Sequence, residues 1–409
     1  MQSLFPRSHG KRLISGILFF WLAGSLALVA CGDTTTTADL SLNQTATPGS
    51  APASTIAPSL APNATPVPTS TSTAIAVLPA TSTPIPPTPV ETLVPQTITP
   101  EVTSTVKGIF QPAEPTTGPG SSQYVYSSVV VNRYGQGVES YFLYEPARPN
   151  PAKTLPLVVL LHGYAGVNPA IGYNAWIAHL VKRGNIVVFP VYQEQLARDG
   201  EKFTDNALAA IQAAITRLQD GTHFKPDLNA FTIIGYSAGG VIATNLTARA
   251  AKLGLPVPKA LFTVAPGGCS NCSRLAIENF TLAGANELAA IPATTRLLVL
   301  VGSSDVIVGQ TASAIIWQNT KQIPATNKNY LMAISDDHGS PALVADHGMA
   351  VRVPPDAFNY YGTWKLFDGL QSCAIAGKFC EYALGNTPQQ RNLGIWSDGM
   401  AVTPLKILG

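Results

Sequence analysis

The chain has 409 residues, a formal net charge of +2, 12% charged residues and 46% hydrophobic residues. The charge balance gives no sign of a nucleic-acid partner, which would call for a clustered basic face. The hydrophobic content excludes wholesale disorder, and at roughly 100–200 residues per domain the length allows two or three units.

Arg7, Lys11 and Arg12 precede an apolar run from Leu13 to Val29, which ends in Leu28-Val29-Ala30-Cys31-Gly32. A basic start, an apolar stretch and a small residue at its end predict a signal peptide over residues 1–30. The run also approaches the roughly 20 residues that span a bilayer, so a retained anchor helix is the competing reading. The cysteine directly after Ala30 resembles the lipobox of bacterial lipoproteins. That resemblance implies cleavage before Cys31, a diacylglyceryl group on its sulfur and an extracytoplasmic protein held to the membrane by its lipid. Two acyl chains give stable anchoring where one is marginal.

Cysteine counting agrees. Five cysteines is an odd number for an exported chain; with Cys31 assigned to lipid, four remain for two disulfides. Of the three possible pairings, the local one, Cys269 with Cys272 and Cys373 with Cys380, is favoured. Zinc would need two C-x-x-C knuckles, and the sequence has one, so no metal is expected.

From Cys31 to residue 122 the composition is that of a linker. Residues 32–122 hold 16 of the chain's 34 prolines and six charged residues. Thr, Ser, Ala and Pro dominate, and such a segment buries too little apolar surface to offset its ordering entropy. It is expected to be disordered and to hold the rest of the chain away from the membrane.

Residues 123–409 are expected to form one α/β domain. Tyr124 to Val131 and Ser140 to Glu145 predict two antiparallel strands. Solid apolar runs then alternate with segments at helical spacing. The strands are Leu157–Leu161, Ile186–Val191, Phe231–Tyr236, Ala260–Ala265, Arg296–Val301 and Asn329–Ile334. The helices are Ala175–Arg183, Asp205–Asp220, Ala238–Lys252 and Asp356–Leu370. Unbroken apolar strands are buried on both faces, which predicts a mostly parallel central sheet with helices on both sides.

Phe231-Thr232-Ile233-Ile234 runs into Gly235-Tyr236-Ser237-Ala238-Gly239-Gly240 and then a helix. This is G-x-S-x-G in strand–turn–helix context. A nucleophilic serine needs a tight turn to project its hydroxyl, and Gly235 and Gly239 leave room for strand and helix to approach. Two later strands end in candidate partners. Leu297–Val301 leads to Gly302-Ser303-Ser304-Asp305, and Asn329–Ile334 leads to Ser335-Asp336-Asp337-His338-Gly339. Only His338 and His347 follow Asp305 among the six histidines. His338 sits directly at a strand's end and is the expected base, with Asp305 holding its tautomer and Ser237 attacking an acyl carbon. Leu160-Leu161-His162-Gly163-Tyr164 follows another strand; the backbone N–H groups of Tyr164 and Ala238 are the expected oxyanion donors. His162 is expected to be a structural hydrogen-bonding residue.

Over 123–409 these residues resemble the α/β-hydrolase superfamily, whose chain order is Ser, Asp, His. His162-Gly163-Tyr164, the serine motif, Gly302-Ser303-Ser304-Asp305 and Asp337-His338-Gly339 resemble the branch of dienelactone hydrolases, chlorophyllases and polyester hydrolases of the cutinase or PET type. Two departures stand out. Ala238 occupies a place where polyester hydrolases often have Met, and the Cys nucleophile of dienelactone hydrolases is absent. The resemblance implies a serine hydrolase cleaving carboxylic esters, small or polymeric, without a cofactor. A serine peptidase or acyltransferase on the same fold is the alternative, and a non-catalytic binding lipoprotein on a hydrolase scaffold is the alternative of another class. The interval between Ala265 and Arg296, with Pro266-Gly267-Gly268-Cys269-Ser270-Asn271-Cys272, is expected to be a stapled rim loop rather than a large cap.

Overall fold

The apolar strands feed two cores at once, one on each face of a single sheet. In β3 (Thr154–Leu161), Leu157, Val159 and Leu161 enter one core, while Val158 and Leu160 enter the other. β7 (Arg296–Gly302) divides the same way, with Leu297, Val299 and Val301 on one side and Leu298 and Leu300 on the other. Side chains alternate across a strand, so five apolar residues in a row demand cover on both faces.

The computed structural model describes residues 108–409. The expected signal peptide, Cys31 and the linker up to residue 107 lie outside the described residues. Among the described residues no helix is long and apolar enough to cross a membrane.

The remaining strands are β1 (Val129–Tyr134), β2 (Tyr141–Pro146), β4 (Ile186–Pro190), β5 (Lys225–Tyr236), β6 (Ala260–Val264), β8 (Lys328–Ala333) and β9 (Lys406–Ile407). The sheet order is β1-β2-β4-β3-β5-β6-β7-β8-β9. β4 through β8 run parallel, while β1, β2 and β9 are antiparallel to their neighbours. This is the mostly parallel α/β sheet that the apolar runs predict.

Helices cover both faces. On one side lie α2 (Phe203–Arg217) and α3 (Ala238–Arg249), which bury Ala207, Ile211, Val241 and Leu246. The other side takes α1 (Asn174–Lys182) and α6 (Lys365–Ala376), with Trp176, Leu180, Phe367 and Leu370. The expected late helix begins as a wider π-type turn over Phe358–Trp364 and continues as α6. Three short helices were not anticipated: α4 (Ala285–Leu288), α5 (Thr311–Gln318) and α7 (Pro388–Arg391).

The linker reading overshoots at its end. Residues 108–122 belong to the folded unit rather than to a disordered tether. The Ser340 N–H donates to the Ile109 carbonyl at 2.9 Å, and Phe110 N–H to Ser397 Oγ at 2.9 Å. Gly120 N–H donates to Asp368 Oδ2 at 2.8 Å, and Arg183 to the Gly118 carbonyl at 3.3 Å. Composition judges whether a segment can build its own core; it does not register amides and carbonyls that find partners on a neighbouring surface. Likewise residues 125 and 126 hydrogen-bond to the Lys182 carbonyl instead of a strand, so β1 starts at Val129.

Candidate active site

β5 ends at Tyr236, Ser237 follows as the turn residue, and α3 begins at Ala238. Ser237 has φ 55° and ψ −123°, a strained backbone state for a residue with a side chain. Two glycines allow the turn. A Cβ on Gly235 would run into the Gly239 carbonyl, and one on Gly239 into the carbonyls of Leu161 and His162. The turn is anchored from the adjacent strand, since Ser237 N–H donates to Val264 O at 2.9 Å.

Ser237 Oγ lies 2.9 Å from Nε2 of His347, and His347 Nδ1 lies 2.8 Å from Asp305 Oδ2. An ionised carboxylate only accepts, so Nδ1 donates to Asp305 and Nε2 accepts from the serine hydroxyl. Asp305 projects from the turn after β7. Burial works against its charge, but the hydrogen bond and charge of His347, together with the N–H groups of Val308 and Ile307, hold its pKa below the usual carboxylate range. His347 opens a short 3-10 turn, His347–Val351. Its carbonyl accepts from the Tyr236 hydroxyl at 2.9 Å, and the two rings lie 5.2 Å apart.

His338 is not at this site, which corrects the sequence expectation for the base. Its Nε2 donates to Asp398 Oδ2 at 2.7 Å, and its ring meets the edge of Trp396. After β8 the chain does not stay at the rim. Asp336 and Leu343 pair as an antiparallel bridge that closes a hairpin over 336–343. His338 sits on that hairpin, and the chain delivers His347 to Ser237 only on its return. The sequence holds Asp-His-Gly twice, at 337–339 and 346–348. The second copy is the signal that was available for His347; proximity to the strand end favoured the first.

The other expected site residues fall around the elbow. Gly163 packs on it, since a Cβ there would come within 3.1 Å of the Ser237 Cβ. This sets the following peptide, that of Tyr164, beside the nucleophile, with the Gly163 N–H itself taken by the Tyr173 hydroxyl at 2.8 Å. Ala238 opens α3, where the first N–H groups of a helix lack intrahelical partners. His162 is fully buried between the carbonyls of Gly163 and Val191 and stacks on Tyr192 at 4.1 Å. Burial lowers its pKa to about 4, which keeps it neutral and structural. Trp176 is core, while Tyr164 is exposed at the rim.

Both local disulfides form, with Cα–Cα separations of 5.2 Å for Cys269–Cys272 and 4.7 Å for Cys373–Cys380. The first staples the loop after β6, whose Gly267 N–H donates to Ser237 O at 3.2 Å. Between β6 and β7 the only helix is the four-residue α4, so that interval is a loop and not a cap. No group of metal-ligating side chains is found among the described residues.

Residues 143–293 match the family model described as Chlorophyllase. No curated protein matches the sequence. Among solved structures, one from a study of two fungal esterases of Rhizomucor miehei overlays with a TM-score of 0.45 at 15% identity, covering 62% of this chain and 86% of that one. The mostly parallel sheet and the serine elbow are those of an α/β-hydrolase fold, and over residues 143–293 the chain is similar to the chlorophyllase family of carboxylic ester hydrolases.

Proposed function

We propose that the protein is a membrane-tethered, extracytoplasmic serine hydrolase that cleaves carboxylic esters through an acyl-enzyme on Ser237. The observation that carries the chemistry is the line of contacts from Ser237 Oγ through His347 to Asp305, 2.9 and 2.8 Å long. His347 Nε2 takes the hydroxyl proton as Oγ bonds to the ester carbon. The imidazolium then gives that proton to the departing alkoxide. Water repeats the sequence on the acyl-enzyme, and the acid leaves. Asp305 fixes the tautomer and balances the imidazolium charge throughout. The N–H groups of Tyr164 and Ala238 receive the developing oxyanion, each contributing roughly 3–4 kcal/mol.

The tether rests on sequence alone. The basic start, the apolar run and Cys31 support lipidation after cleavage at Ala30. Radiolabelled palmitate is expected to be incorporated into the full chain and not into a Cys31→Ala variant.

The chemistry is tested with p-nitrophenyl butyrate and a fluorophosphonate probe. Hydrolysis and a single label on Ser237 are expected. Folded protein that neither turns over the ester nor takes the label overturns the assignment. Amide substrates and alcohol acceptors in the same assay separate esterase from peptidase and acyltransferase.

A further inference from the structure

Asp305 and His347 stand on separate stretches of chain, and their 2.8 Å contact requires that those stretches keep one spacing. Asp305 closes the turn that follows β7, while His347 lies on the limb that returns from the hairpin after β8. The limb rests directly on the turn, since a Cβ on Gly302 would run into the Ala345 carbonyl.

Three serines join the two stretches. Ala345 is fully buried, and its backbone is gripped from both sides. Its carbonyl accepts from Ser304 N–H at 2.9 Å, and its N–H donates to Ser335 Oγ at 2.9 Å. The hydroxyls of Ser335 and Ser304 hydrogen-bond to each other at 2.8 Å. Ser335 N–H donates in turn to Ser303 Oγ at 3.1 Å. Ser304 directly precedes Asp305, and Ala345 lies two residues before His347. Ser335 Oγ thus touches both stretches at once.

A buried amide left without a partner is costly, so loss of the Ser335 hydroxyl drives the limb to a new arrangement or admits water between limb and turn. Either change reaches His347, and misplacing a reacting group by about 1 Å can cost about 10²-fold in rate. The fold has other supports here. The pairing of Asp336 with Leu343 closes the hairpin. Its tip is held by the Ile109 carbonyl on Ser340 N–H and by Gln111 Nε2 on the Pro341 carbonyl, each at 2.9 Å.

We propose that Ser335 is a positioning residue for the proton transfer. Its hydroxyl holds the Ala345 N–H beside Ser304 and so sets His347 at working distance from both Asp305 and Ser237. This rests on the reading of His347 as the base and adds the residue that places it.

The test uses a chain beginning at Gly32, which keeps every described residue. Ser335→Ala, Ser335→Thr and Ser304→Ala are compared with the unchanged chain, each checked for folding by circular dichroism and thermal melting. Two rates are read: kcat on p-nitrophenyl butyrate, and the rate constant for fluorophosphonate labelling of Ser237. In Ser335→Ala both are expected to fall about 10–100-fold with KM changed less than about threefold, because the base moves and the substrate's own contacts do not. Ser335→Thr keeps a hydroxyl and is expected to stay within about threefold of the unchanged chain. The downfield proton resonance of the His347–Asp305 hydrogen bond should broaden or move in Ser335→Ala and persist in Ser335→Thr. Both rates within about twofold in folded Ser335→Ala overturn the proposal. So does Ser335→Thr as slow as Ser335→Ala, or a loss of rate with the resonance unmoved, which would make Ser335 a support of the fold and not of the base. Should Ser335→Ala fail to fold, Ser304→Ala decides: it removes the partner hydroxyl alone, a loss of at least about threefold in both rates is expected, and no loss overturns the proposal. Failure of the hydrolase reading shows separately in the unchanged chain, as absent label and absent turnover, and failure of the base assignment as full activity in His347→Ala.

Discussion

Nε2 of His347 lies 2.9 Å from Oγ of Ser237, although 110 positions separate the two residues in the chain. His338, nine positions before His347, hydrogen-bonds instead to Asp398. Ser237→Ala and His347→Ala are therefore each expected to lower kcat for p-nitrophenyl butyrate by about 10⁴–10⁶-fold, the scale seen when one member of such a set is removed. His338→Ala is expected to stay within about tenfold, because its pair is partly exposed and such pairs contribute little. Steady-state kinetics on the three variants decides the identity of the base.

Asp305→Asn is expected to lower kcat by about 10⁴-fold, since an amide in that place favours the wrong imidazole tautomer. The pH profile follows from the same contact. Only the neutral imidazole can accept the Ser237 proton, so kcat/KM is expected to rise with pH as the base loses its proton. Asp305 is held below the usual carboxylate range, so the rise belongs to the base. Measuring kcat/KM from pH 5 to pH 9 checks it; a flat profile contradicts the proton transfer.

The N-terminal segment gives a stability prediction. A chain starting at residue 123 loses the Gly120–Asp368, Ile109–Ser340 and Phe110–Ser397 hydrogen bonds and is expected to melt lower than one starting at residue 108. Leaving the buried Asp368 short of one donor alone costs about 1–3 kcal/mol. Burial disfavours the Asp368 charge, but the charge and hydrogen bond of His179, the charge of Arg183 and the Gly120 N–H together lower its pKa. With the folded value below the unfolded one, near 3.9, the stabilisation is full above that unfolded value. It is lost as pH falls through the folded value. Melting temperature followed from pH 7 to pH 2 should therefore drop steeply at the acid end, and less so in Asp368→Asn.

Gly239→Ala is expected to abolish folded protein or to cost on the order of 4 kcal/mol, because its Cβ meets two backbone carbonyls that have no rotamer to adjust. Gly254→Ala, where a Cβ meets nothing within 4 Å but φ is +66°, is expected to cost about 1 kcal/mol from backbone strain alone. Thermal denaturation of the pair separates collision from strain.

Ser237 and Asp305 were legible because each follows its strand without an excursion, so a linear reading of strand ends finds them. His347 was hidden by a hairpin whose closure depends on the pairing of Asp336 with Leu343 and on Asp398, 60 positions beyond His338. Neither contact leaves a local pattern in the sequence. The strands were legible for a related reason, since burial on both faces writes itself as unbroken apolar runs such as Leu157–Leu161. Short elements such as α7, capped by the side chain of Thr387, carry only a few residues of signal. The order of residues 108–122 depends on partners such as Asp368 and Ser340, more than 200 positions away.

The excursion after β8 also bears on how the molecule acquires activity. A pairing that spans 110 positions carries a loop-closure entropy that local helices do not, and parallel strands are slow to assemble. Turnover during renaturation should thus lag behind the recovery of helical circular dichroism. Detachment of β8 and its hairpin at the sheet's margin would silence Ser237 while most of the fold stood.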